Sequence, residues 1–209
     1  MWKEEESHFS TLQNLNIDYM NTSYFYVKIN PNTIMSSRNK TIDNDAFPIN
    51  YANNYQKKAL SIQVHPVLKD SFNKKYQGIK VFVANNTDSI LYFNTIDSYL
   101  YMKVQAKDKA GKWCDIEYIQ QPFCNMSNYI LGLKPAHYWA FSTPIYSGDF
   151  KTKMRVELSY INPANYPISY REANNAVIYS NEYDGNINLS QFRRKQRNFS
   201  DNIRRFNLN

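Results

Sequence analysis

Lys153-Met154-Arg155-Val156-Glu157-Leu158-Ser159-Tyr160 alternates apolar and polar side chains without a slip. A period of two puts Met154, Val156, Leu158 and Tyr160 on one face of an extended chain and the charged residues on the other. Such a strand hides one side and wets the other. Antiparallel sheets allow that, whereas parallel sheets are covered on both faces.

The same period recurs upstream. Leu60, Ile62 and Val64 alternate with Ser61 and Gln63 until His65-Pro66 ends the run. Ile79, Val81 and Val83 alternate with Lys80 and Phe82 up to the turn signal Asn85-Asn86-Thr87-Asp88. Leu100, Met102, Val104 and Ala106 alternate up to Lys109-Ala110-Gly111, and residues 112–119 return as a hairpin arm. Shorter strands are expected at 89–94, 128–133, 138–143 and 176–183. Strands at this spacing, with no helical period between them, predict a sandwich or barrel. Composition agrees: 18 Tyr and 12 Phe among 209 residues suit a pleated, half-buried surface.

The ends read differently. Phe9, Leu12 and Leu15 recur every three residues, which predicts a short helix or a frayed segment. Residues 23–29 predict one strand, and 30–58 a long irregular loop. The expected organisation is an irregular extension over 1–57, a sandwich over 58–187 and a basic tail over 188–209. Of the net charge of +7, about +5 lies in that tail, where Arg193, Arg194, Lys195, Arg197, Arg204 and Arg205 face one acid, Asp201. The body is near-neutral, which disfavours nucleic acid and points the tail toward a partner protein or a membrane surface. No stretch has the apolar length of a membrane span, and the first residues lack the layout of an export signal. The aromatic, Asn-rich style nonetheless suggests an exported chain whose leader has been removed. Without such a leader the expectation is cytoplasmic.

A series of short motifs has a familiar layout. Asn85-Asn86-Thr87 follows a hydrophobic strand; then come Gly111-Lys112-Trp113, Ile116-Glu117, Leu133-Lys134-Pro135 and Tyr138-Trp139. Gly148-Asp149-Phe150-Lys151-Thr152-Lys153-Met154-Arg155 and Ile178-Tyr179-Ser180-Asn181-Glu182-Tyr183 complete it. Over about residues 58–190 the chain resembles bacterial immunoglobulin-like domains of secreted and lipoprotein type, like those of Bacteroidetes-like bacteria. The resemblance implies an immunoglobulin-like antiparallel sandwich in the periplasm or at the cell surface, and it brings no catalytic residue.

Candidate sites are few. Cys114 and Cys124 are too far apart for a zinc knuckle, and they form either a small disulfide loop or two independent thiols. His8, His65 and His137 are scattered, and no nucleophile elbow, metalloprotease helix or phosphate loop is present. Asp43-Asn44-Asp45 and Asp184-Gly185-Asn186 offer oxygen ligands but read better as loop and turn. Glu117 and Asp149 are acids beside strands with nothing in the sequence to pair them. Trp113 and Trp139 read as core anchors, and Tyr99, Tyr101 and Tyr146 as an exposed aromatic surface. Asn21, Asn39, Asn85, Asn125, Asn188 and Asn198 head N-x-Ser/Thr sequons, which chance readily produces in an Asn-rich chain. These features predict no catalytic residue, metal or cofactor. The expected function is an accessory subunit of an envelope assembly that binds another protein. A carbohydrate-binding module is the alternative, and a secreted hydrolase ranks last.

Overall fold

The computed structural model describes residues 11–22, 24–29, 44–48, 59–119, 128–162 and 175–193. They form an all-β body of mainly antiparallel sheets, with no α-helix among them. The chain order is β1 (Met20–Thr22), β2 (Phe47–Pro48), β3 (Leu60–Phe72), β4 (Tyr76–Asn85), β5 (Leu91–Ile96), β6 (Tyr99–Leu100) and β7 (Met102–Lys107). It continues with β8 (Trp113–Asp115), β9 (Glu117–Ile119), β10 (Asn128–Leu133), β11 (His137–Pro144), β12 (Phe150–Ile161), β13 (Asn175–Tyr179) and β14 (Tyr183–Ile187), followed by a 3-10 turn at Leu189–Phe192.

One sheet has the order β2-β11-β4-β3, a second β13-β12-β7-β8 and a third β10-β5-β6. The period-two reading holds in each. Met154, Val156 and Leu158 of β12, Met102, Val104 and Ala106 of β7, and Val81 and Val83 of β4 all enter one shared core. Trp139 and Phe141 of β11 join them, so the sheets bury their apolar faces against one another.

Several strands change partner along their length. The arm 99–107 pairs with β5 through Tyr99 and Leu100, breaks at Tyr101, and then pairs with β12. β13 and β14 share one edge of β12, with Ser180, Asn181 and Glu182 opposite only Arg155 and Val156. This extra residue is a bulge. It turns Asn181 toward β3, where its side chain accepts from Val64 N–H (2.8 Å) and donates to Val64 C=O (3.0 Å). The side chain stands in for a neighbouring strand and closes that stretch of β3's free edge.

Two expectations about β3 and the first 57 residues are corrected. Pro66 does not end the strand. Residues 66–68 loop out between His65 and Lys69, which face consecutive residues of β4, and pairing resumes to Phe72. Within the expected extension, Leu15, Met20, Phe25 and Val27 are core. Residues 13–15 are extended rather than helical, with Gln13 bridged to Tyr76 and Leu15 to Tyr146. β1 runs parallel to β9, Tyr26 bridges Tyr99, and Ile29 bridges Asn44. Residues 11–22 and 24–29 therefore form a seam that meets the β2-β11-β4-β3 sheet through Gln13, Tyr24 and Phe25, β9 through β1, and β6 through Tyr26. This packing was illegible because each contact is only one to three residues long.

Candidate functional site

Two places stand out: an aromatic surface on the outside of the β2-β11-β4-β3 sheet, and a buried carboxylate beneath the seam.

The surface follows from strand register. Tyr138 pairs with Ala84 and Phe47, and Ala140 with Phe82, so the side chains alternating with Trp139 and Val83 point away from the core. Phe47, Tyr138, Phe82 and His65 then succeed one another across four strands, with ring centroids 5.6, 5.8 and 5.2 Å apart. Cross-strand aromatic pairs of this kind stabilise the sheet that carries them. Phe47 remains 52% exposed. Beside it a small open hollow, lined by Tyr26, Lys28, Asp45, Trp139 and Ala140, leads to Tyr26, which is 44% exposed and lies 5.2 Å from Tyr99. At the other end, Asp70 accepts hydrogen bonds from Lys80 Nζ and Ser142 Oγ. These donors and the Lys80 charge hold the Asp70 carboxyl below its ordinary range against the opposing effect of burial.

The carboxylate is Glu117, which is fully buried. Oε1 accepts from Tyr24 OH (2.7 Å) and from Tyr146 OH, and Oε2 accepts from Val104 N–H (2.9 Å). With the Tyr24 proton committed to Glu117, Thr143 Oγ1 donates to the Tyr24 oxygen at 2.9 Å. The Met20 sulfur lies 2.8 Å from Tyr146 OH. Every partner of Glu117 among the described residues is a neutral donor. Burial outweighs these donors and pushes its carboxyl up to about 7, while burial and the neighbouring acid raise Tyr24 and Tyr146 as well. Tyr183 OH is buried without a hydrogen-bond partner among the described residues and is likewise pushed upward by burial and by Glu117.

The sequence-predicted residues are scattered relative to these places. Tyr99 joins the aromatic surface beside Tyr26, and Tyr101, half-buried, sits at the break between β6 and β7. Tyr146 is a correction: it is buried against Glu117, because the chain after β11 turns inward to pair with Leu15. Trp139 is a core anchor, but Trp113 is not. Its strand is at a sheet edge, and Arg155 and Lys107 lie over its ring at 4.2 and 4.8 Å. Arg155 also lies 3.6 Å from the Tyr179 ring centre. Cys114 is a free thiol 3.7 Å from Asp108 Oδ2 rather than half of a disulfide; Cys124 lies outside the described residues. Its strand is held by β7, which aims the thiol at the 108–112 turn.

Asp184-Gly185-Asn186 is strand β14 rather than a turn, since it pairs with Lys151, Thr152 and Lys153. Asn44 is committed to Trp139 Nε1 and Gly132 C=O, and Asp45 to Lys28. Of the sequons, Asn85 is fully buried and ties Leu133 C=O to the 85–89 turn. Arg193 is exposed, while Arg194, Lys195, Arg197, Arg204 and Arg205 lie outside the described residues, as does His8. Among the described residues no group of three or more His, Cys, Asp and Glu is placed to hold a metal ion, and no helix is long and apolar enough to cross a membrane.

Phe47, Phe82 and Tyr26 were missed as surface residues. A signal existed for Phe82: Val81-Phe82-Val83 is apolar on both faces of one strand, which a wet outer face does not require. Nothing local marks Glu117, because its donors come from residues 24, 104 and 146. No family model matches the chain, and neither the curated proteins nor the solved structures compared with it include a similar one.

Proposed function

We propose that this chain is a non-catalytic binding module, an immunoglobulin-like sandwich outside the cytoplasm, which docks a partner protein of a cell-envelope assembly on its aromatic face. The observation that carries the reading is the aromatic row from His65 through Phe82 and Tyr138 to Phe47, continued past the hollow by Tyr26 and Tyr99. Exposed aromatic side chains on a rigid sheet, with few rotamers to freeze, are the residue types that dominate protein interfaces. The placement outside the cytoplasm and the immunoglobulin-like topology rest on the motif resemblance over residues 58–190.

Ring orientation favours a protein over a glycan. Successive ring planes in the row are inclined by 36°, 64° and 79°, so they form a corrugated surface rather than a flat stacking platform. Side chains of a folded partner can interdigitate with such relief, whereas the faces of successive sugar rings need near-parallel aromatic planes.

The test is co-purification from the native cell envelope with wild type and with F47S/Y26S, two changes at exposed positions that leave the core intact. The expected result is one stoichiometric partner retained by wild type and lost from the variant. Equal retention by both removes the aromatic face from the reading. Retardation of wild type in polysaccharide affinity gels, lost in the variant, replaces the protein partner with a glycan.

A further inference from the structure

We propose that Glu117, Tyr24 and Tyr146 form a proton-operated latch that sets how tightly the seam segment, residues 11–22 and 24–29, closes over the core. The proposal concerns how the segment is held and is independent of what docks on the outer face.

The segment's backbone pairings with the body are short and separate: the three-residue ladder of β1 with β9, the bridges at Gln13, Leu15, Tyr26 and Ile29, and single hydrogen bonds between them. Leu15 N–H donates to Ile145 C=O and Leu15 C=O accepts from Ser147 N–H. Val27 N–H donates to Ser98 C=O, and Phe25 C=O accepts from Leu100 N–H. Between these points its side chains cover Glu117: Tyr24 donates to the carboxylate, and Met20 in β1 pairs directly with the Glu117 backbone position and touches Tyr146 OH. The segment's core side chains Leu15, Met20, Phe25 and Val27 make full release costly, so what opens is a local loosening between the short pairings around Glu117 rather than detachment. That loosening draws Tyr24 and Met20 away together and lets water reach the carboxyl.

Among the described residues no cation offsets a charge at this place. The groups that face Glu117 are Tyr24 from the segment, Tyr146 after β11, Tyr183 from β14 and, from β8, Asp115, whose charge opposes ionisation. The nearby Lys103 is engaged by Asp115 and Glu157. Protonated, Glu117 sits in the closed core at no charge cost. Ionised, it gains by hydration, and only opening supplies that. Its closed-state value of about 7, against an ordinary 4.5, places the change near neutrality. Because Tyr26 lies on the same segment, opening also moves one end of the aromatic surface.

Amide hydrogen exchange on the intact protein reads the latch directly. After correction for intrinsic rates, protection at Leu15, Val27, Leu100 and Ser147 is expected to fall about 30-fold from about pH 5.5 to about pH 8.5, while amides of β4 and β12 hold steady. E117Q, which keeps the size and a hydrogen-bonding end, is expected to flatten that profile. Y24F, which removes one donor to the carboxylate and keeps the ring, is expected to move the midpoint upward. A flat wild-type profile, a fall shared equally by all sheets, a slope that survives in E117Q, or an unmoved midpoint in Y24F each overturns the latch. If E117Q does not fold, the wild-type and Y24F profiles decide.

Discussion

Gly148 has no room for a side chain: a Cβ built there would sit 2.1 Å from the Ile187 carbonyl carbon. The obstacle is backbone, so G148A has to push the end of β14 away from β12. The expected cost is about 3 kcal/mol, read from the denaturation midpoint. Asn181 works in the opposite sense, by adding rather than by making room. Its amide satisfies both backbone groups of Val64 across the gap between β14 and β3. N181A is expected to cost about 1–2 kcal/mol, and N181D more, because it keeps the acceptor but turns a second carboxylate oxygen against the Val64 carbonyl oxygen. Glu117 governs pH dependence. Its carboxyl is raised from 4.5 to about 7 in the folded protein, so the folded state binds more protons than the unfolded one between those values. Stability from this group is fully present below about pH 4.5 and is lost as pH rises through about 7, by about 3 kcal/mol in all. Urea titrations at about pH 5 and pH 8 should show that difference in wild type and not in E117Q.

At the scale of elements, the loop-out in β3 separates what the fold needs from what it merely carries. Val67 is 82% exposed and Leu68 is exposed beside it, while the paired residues on either side carry the ladder. V67D is therefore expected to leave stability within about 0.5 kcal/mol of wild type, as surface changes do. A larger loss would mean that the loop-out packs on something. The hairpins are anchored differently. Asp97 and Ser98 both adopt positive φ between the paired residues Ile96 and Tyr99, a two-residue turn whose twist suits the flanking strands. Ser98 C=O then receives Val27 N–H, so the turn also holds the seam segment. The two halves of the last strand, β13 and β14, act as one element with a bulge because Ser180 Oγ accepts from Val156 N–H and keeps that amide paired.

For the whole molecule, the outer faces of the two main sheets differ in chemistry. The β13-β12-β7-β8 face is a charge lattice: Lys103 meets Asp115 and Glu157, Lys107 meets Glu182, Lys153 meets Asp184, and its aromatics, Trp113 and Tyr179, pack against Arg155. Such paired surfaces remain hydrated and resist self-association. The β2-β11-β4-β3 face carries the aromatic row instead. A partner is thus expected to bind the second face, and charge reversal on the first, K153E for example, is expected to leave capture of that partner unchanged. Period-two burial was legible from the chain alone along β12, β5 and the paired stretch 60–65 of β3, but not across the loop-out that follows it. Met154, Val156 and Leu158 fall inward as their alternation requires, because a pleated backbone sends successive side chains to opposite sides whatever surrounds it. What covers each face was not legible, since that depends on residues far apart in the chain. Tyr146 and Trp113 exchanged their expected environments for this reason, and Glu117 acquired its donors from positions 93, 13 and 29 residues away. Local alternation determined the class of fold; only long-range packing decided that residues 11–22 and 24–29 close it, that a carboxyl lies beneath them, and which sheet carries the cross-strand row of aromatic rings.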